Sequence, residues 1–363
     1  MFEDIANAIA QQDYTTANQL IHTLKQEYPN HPWLLFYTAQ VEEAQGNLDS
    51  ARETYQTLLQ DCTNRKLLWQ SREALRRLQT SQSEQKEQAI AEALAQPGGK
   101  ESATLILSAI PTEQKKQAAQ TLAQIFQMDA YNARLQLPSR GWRLFRIGAM
   151  GELLYYSKVL QQAGIPCFCN PLNSLDTLNV FQVQYFRSEG DTVTARCSNN
   201  QGQEGTLSFQ WSEVKQQVQG RVPIFEEIIK TNARGKRQSK TETLDYAQFC
   251  DLHLPQRQTI LRLCDHQYQF QDSLDLTENI QKGETIRRNW AQLLNYLDKK
   301  MPNTLRWGDF TPFGESAIAF PQMLRRITSH IDLKRRYETC WDAAFQLYSG
   351  LIFFKGESDL RQP

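Results

Sequence analysis

Histidine is scarce in this chain, five among 363 residues, and the few are widely scattered, so no general acid and base pair stands out. A glycine-rich phosphate loop and a nucleophile elbow are both missing. Gly308-Asp309-Phe310 stands without the glycine-rich and catalytic loops that would give it a kinase meaning. The start, Met1-Phe2-Glu3-Asp4, carries acids where a secretory leader carries Lys or Arg, and no stretch reaches the roughly 18 apolar residues of a membrane span. These absences predict a soluble, cytoplasmic, non-enzymatic chain with no cofactor. Nor is there an excess of one charge: 40 basic residues balance 40 acidic ones, which excludes a global attraction for nucleic acid or anionic lipid. The seven cysteines (62, 167, 169, 197, 250, 264 and 340) are odd in number and dispersed, a pattern of reduced thiols rather than of a disulfide framework.

What is present is enough apolar matter, 40% of residues, to fill two to four domains. Residues 1–80 read as helix. Ile5 and Ile9, then Ala17, Leu20, Ile21 and Leu24, fall at three- and four-residue intervals, the spacing of one buried helical stripe. The pattern then repeats: Asp13-Tyr14-Thr15-Thr16-Ala17 with Ile21 and Leu24 returns 34 residues later as Asn47-Leu48-Asp49-Ser50-Ala51 with Tyr55 and Leu58. Pro29 to Pro32 closes the first helical hairpin, Gly46-Asn47 breaks the second, Asp49 is the expected N-cap after that break, and Leu67 to Leu78 reads as a capping helix. With small Ala17 and Ala51, turn glycine Gly46 and closing proline Pro29, the segment resembles a tetratricopeptide repeat array of two repeats and a cap. Gln12 and Thr63 stand where that family has its other turn glycine and closing proline. The resemblance implies a groove that takes another protein or a peptide helix, and Tyr14, Asn18, Tyr37, Gln40 and Gln45 are the residues expected to line it.

Residues 81–102 read as a polar linker with a short helix, ending at Pro97-Gly98-Gly99-Lys100. Residues 103–170 then run strand, helix, helix, strand, helix, strand, a small two-layer α/β unit. That order, with Ala133 in the second helix and Leu160-Gln161-Gln162-Ala163-Gly164 before the last strand, resembles the fold of the ribosomal stalk protein's C-terminal domain and the small Clp protease adaptor. Met128 and Asp129 replace the glycines of its helix break. Over 178–300, Val180 to Phe186, Thr192 to Cys197 and Gly205 to Trp211 alternate as half-buried strands, Asp251 to Leu254 and Ile260 to Cys264 are further strands with Tyr268 to Phe270 extending the last, and Thr285 to Lys299 is an amphipathic helix. A β-rich unit closed by a helix resembles the pleckstrin-homology superfold in outline. Residues 301–363 read as a mixed segment packed on that unit, with Phe320 to His330 helical. The predicted class is therefore multidomain, α followed by α+β.

Two other chemistries compete with protein docking. The run Lys230 to Lys240, with Lys230, Arg234, Lys236, Arg237 and Lys240, reads as a basic loop that would serve a ribosome- or nucleic-acid-associated factor, although it holds no interleaved aromatic for base stacking. Cys250-x-x-His253 with Cys264-x-His266 has zinc-ligand residue types, but a strand would turn neighbouring members to opposite faces. Cys167 and Cys169 share a strand face without neighbouring bases to make thiolates. Docking of a protein partner is the reading these features favour.

Overall fold

A computed structural model describes residues 2–189, 192–231, 237–273, 285–333, 335 and 339–360. The molecule divides into two compact units, Met1–Glu92 and Ala93–Pro363.

The first unit is a run of antiparallel helical hairpins: α1 Phe2–Ala10 with α2 Tyr14–Glu27, α3 Pro32–Ala44 with α4 Leu48–Asp61, then α5, which begins at Arg65. Asp13 caps α2, its carboxylate accepting from the Thr16 backbone N–H at 3.1 Å and from the Thr16 hydroxyl at 2.6 Å. At the second turn the cap position belongs to Asn47, and Asp49 lies inside the first helical turn, where its charge meets the helix dipole instead. Gly46 is left-handed (φ 84°), and at the equivalent first turn Gln12 holds the same conformation (φ 59°), so the glycine's place is taken by a residue for which that backbone is strained. Ile5, Ala17, Ile21, Leu24, Leu34 and Val41 form one core; Phe36, Tyr55, Leu58, Leu67, Ala74 and Leu78 form the next.

The expected short cap and linker are replaced by one helix, Arg65–Ala95. The polar stretch after Thr80 contains no glycine or proline until Pro97, and its Glu, Gln and Lys residues are good helix formers linked by i,i+4 bonds such as Ser83 to Glu87 and Gln88 to Glu92. Polarity there marks a solvated helix rather than a break.

The second unit opens with the sequence of elements expected: β1 Ser102–Ser108, α6 Lys115–Phe126, α7 Ala130–Gln136, β2 Trp142–Ala149, α8 Met150–Gln162 and β3 Cys167–Pro171, the strands ordered β2-β1-β3 and antiparallel. Ala103, Leu105 and Leu107 face the helices, while Ile106 and Trp142 join a different core on the other side of the sheet. Gln127 (φ 52°) supplies the left-handed helix end.

A seven-stranded sheet follows among the described residues, ordered β10-β7-β8-β9-β4-β5-β6: β4 Asn179–Glu189, β5 Thr192–Ser198, β6 Glu204–Gln210, β7 Gln216–Thr231, β8 Arg237–Leu254, β9 Thr259–Cys264 and β10 Leu305–Trp307. β4 runs parallel to β9 and β10 parallel to β7. Strand β7 is absent from the sequence reading because Gln216 and Gln217, both buried, interrupt its apolar pattern. Tyr268 to Phe270 does not extend β9; the strand ends at Cys264 and Phe270–Asp272 is a single tight turn.

Helix α9, Ile286–Lys300, covers one face with Trp290, Leu293 and Leu297. The other face carries α10 Phe310–Ala317, α11 Pro321–Leu324 and α12 Cys340–Leu360. Phe320 to His330 is not one helix, since only Pro321–Leu324 is helical there. Residues 342–353 of α12 are all buried, the polar Asp342, Gln346 and Ser349 included, so this helix is enclosed on every side within the core. No helix among the described residues is long and apolar enough to cross a membrane.

Candidate protein-docking surface

Helix α3 packs against α1, α2 and α4, and its side chains also reach α5. Glu42 accepts from Ser50 (2.8 Å) and Thr54 (3.4 Å) of α4. Glu43 accepts from the Tyr55 hydroxyl (3.1 Å) and from Nε and Nη2 of the Arg77 guanidinium of α5 (3.0 and 2.8 Å). After these contacts one stripe remains, Trp33, Tyr37 and Gln40, spaced i, i+4, i+7 and half-buried. Lys66 of α5 lies over the Trp33 ring at 5.5 Å, and Trp33 and Tyr37 are 5.8 Å apart. Burial, then the nearby Glu3 carboxylate of α1, raises the Tyr37 phenol above its ordinary value, so the hydroxyl stays protonated and able to donate. The stripe thus combines flat aromatic surface, an amide, and one charge of each sign.

Of the residues expected in a groove, Tyr37 and Gln40 lie on this stripe and Gln45 is exposed at the end of α3. Tyr14 and Asn18 sit on α2, Tyr14 against the α1/α2/α3 core and Asn18 in solvent. Trp33 and Lys66 were not anticipated. Their signal was available: Trp33 is four residues before Tyr37, and one repeat length separates α3 from α5.

The tetratricopeptide repeat family model matches residues 8–75. Neither a curated protein nor a solved structure matches the chain. The matched stretch spans α2 to α4 with the ends of α1 and α5, so helical repeats of a protein-interaction type occupy the amino-terminal unit.

The residues of the competing sites are placed as follows. Lys230 is on β7, while Arg237 and Lys240 are on β8, placed by the strand register opposite Gln238, Thr231 and Ile228. The basic run therefore ends in paired strands rather than being loop throughout; Arg234 and Lys236 lie outside the described residues. Cys250, His253, Cys264 and His266 do not converge: Cys250 meets Gln217, His253 meets Gln216 and Ser349, and Cys264 and His266 both face Asp265. Among the described residues no group of three or more His, Cys, Asp or Glu is placed to hold a metal. Burial raises the Cys167 thiol and pushes Cys169 up to about 12, so both stay protonated at neutral pH, which opposes thiolate chemistry.

One buried constellation does contain a hydroxyl, an imidazole and a carboxylate. Ser349 of α12 donates to Asp251 Oδ2 (2.6 Å), since a carboxylate only accepts, and its oxygen faces His253 Nε2 (2.9 Å), which therefore carries the ring proton. Burial drives His253 down to about 4, so the ring is neutral at pH 7, and its Nδ1 faces the Gln216 side-chain amide at 3.0 Å. Arg262 holds Asp251 through two bonds (2.9 and 2.7 Å) and also donates to Gln346 and the Ser329 carbonyl. The hydroxyl is bonded to the carboxylate rather than activated by the imidazole, and Asp251, His253, Arg262 and Ser349 are all 0% exposed. This network fastens α12 to the sheet.

Proposed function

We propose that the chain is a non-enzymatic adaptor or scaffold that uses its amino-terminal repeats to hold a segment of another protein, with Trp33, Tyr37 and Gln40 of α3 as the anchoring stripe. The observation that carries this reading is that stripe itself, half-buried aromatic surface left over after every other face of α3 has found a neighbour. Clustered aromatics with a charged rim are the composition of interface hot spots. On this reading the rest of the chain adds further contacts and acts by binding rather than by catalysis.

The test is affinity capture from the native cell with the full chain and with its Trp33→Ala/Tyr37→Ala variant, compared by quantitative mass spectrometry. A defined protein recovered by the parent and depleted at least tenfold with the variant is expected. Equal recovery by both removes the stripe from the function.

A further inference from the structure

The internal repeat assigns a role to α5 that the groove does not use. Advancing α3 by 34 residues places Leu35 on Trp69, Thr38 on Arg72 and Glu42 on Arg76, with His31 falling on Arg65. In the second repeat this stripe belongs to the hairpin: Leu35 packs into the α3/α4/α5 core and Glu42 takes the Ser50 and Thr54 hydroxyls of α4. Helix α5 therefore stands where the first helix of a third repeat would stand, and beyond it the chain continues as the same helix to Ala95 instead of turning back. Its equivalent stripe is open. Trp69 is 66% exposed, the largest exposure among the tryptophans and phenylalanines of the described residues, and lies opposite the buried stripe Leu67, Ser71, Ala74 and Leu78. Arg65 and Arg72 flank it without an ion-pair partner among the described residues, and Arg76, 75% exposed, is held only by its neighbour Glu73. The charge is also reversed relative to α3, Arg76 standing at the place of Glu42.

We propose that this face takes an acidic amphipathic helix from a partner protein, which completes the third hairpin by packing an apolar residue on Trp69 and carboxylates against Arg72 and Arg76. The shape of the missing element is set by α4, whose Ser50 and Thr54 meet Glu42; a helix meeting Arg76 instead needs acids at those two positions, one turn apart. The first turn of α5 adds to the attraction, because Arg65 and Lys66 place positive charge at the positive end of the helix dipole with no acid in that turn. Tryptophan and arginine are both residue types enriched at interface hot spots.

The probe is a fluorescent peptide of residues 48–61 carrying Ser50→Glu and Thr54→Glu, titrated with the full-length protein at two salt concentrations. Saturable, salt-weakened binding is expected, with Trp69→Ala lowering the affinity at least tenfold. Arg72→Glu/Arg76→Glu abolishes binding of this peptide and restores binding of its counterpart carrying Ser50→Arg and Thr54→Arg. These are surface positions, and an unchanged circular dichroism melt shows that the helix persists. No binding, binding indifferent to Trp69→Ala, or full displacement by a single-stranded oligonucleotide each overturns the proposal, the last by assigning the face to nucleic acid. Trp33→Ala/Tyr37→Ala and Trp69→Ala alter different side chains, so failure of the one proposal leaves the other standing.

Discussion

Replacing Arg262 by Met isolates what the buried polar network contributes. The guanidinium is fully buried, bonded twice to Asp251 and once each to Gln346 and the Ser329 carbonyl, and it lies 5.0 Å from the Phe345 ring. Methionine preserves most of the apolar stem but leaves the Asp251 carboxylate in the core with the Ser349 hydroxyl as its remaining described partner. Removing one member of a buried ion pair costs about 3–5 kcal/mol, because the other charge is stranded. For a unit of this size that corresponds to a fall of roughly 10 °C in its melting transition. Calorimetry and urea melts of the full chain read the effect in the transition assigned to the second unit, and far-UV dichroism reports whether the first unit is untouched. Asp251→Leu alone should cost a similar amount, for the converse reason. The double variant Asp251→Leu/Arg262→Met should lose at least about 2 kcal/mol less than the two singles together, since no charge is then left unpaired. A loss under about 1 kcal/mol in the Arg262 variant, or additivity in the double, would refute the assignment of this pair as the fastening of α12.

Two further outcomes follow from the same core. His253 is held at about 4, against about 6.5 in an unfolded chain, so between those values the unfolded state binds the extra proton; its contribution to stability is complete above pH 6.5 and is lost as pH falls toward 4, by up to about 3 kcal/mol, and His253→Gln should reduce the slope in urea melts across the window, leaving the part due to His330, which burial also lowers to about 4. Gly220 has no room for a methyl group: a Cβ there would lie 2.5 Å from the Phe345 ring and 2.9 Å from Phe310, so Gly220→Ala should destabilise by about 1–3 kcal/mol, and a variant as stable as the parent would show that α12 sits further from β7 than described.

The helical hairpins were legible because each carries an uninterrupted 3.6-residue pattern and the 34-residue recurrence marks the turns. Strands β4, β5 and β6 were legible for the matching reason: one face is dry and the other wet, as in Val193, Ala195 and Cys197 against Thr192, Thr194 and Arg196. Legibility failed where burial is complete. The polar stripe of α12, Asp342, Gln346 and Ser349, is buried like its apolar sides, and β9 is buried at every position, so the carboxyl-terminal core has no wet face to set a period. It failed again where polar residues are interior: Gln216 and His253 satisfy each other across the sheet, a pairing of residues 37 apart that no local pattern reveals. At the docking surface, Tyr37 and Gln40 were reachable from spacing, whereas the exposure of Trp69 depends on α5 running straight on through a stretch whose polarity suggested an interruption.

The parallel pairing of Leu305–Trp307 with Gln216–Val218, together with the central place of residues 342–353, has a bearing on biosynthesis. Synthesis proceeds from the amino end at about 5–20 residues per second, so the repeats, whose partners are near neighbours, have everything they need early. The sheet must wait for residues 342–353 to leave the ribosome before one of its faces is covered. Until then that apolar face is uncovered and open to chaperones, and a premature stop before Phe353 removes part of the helix that closes it.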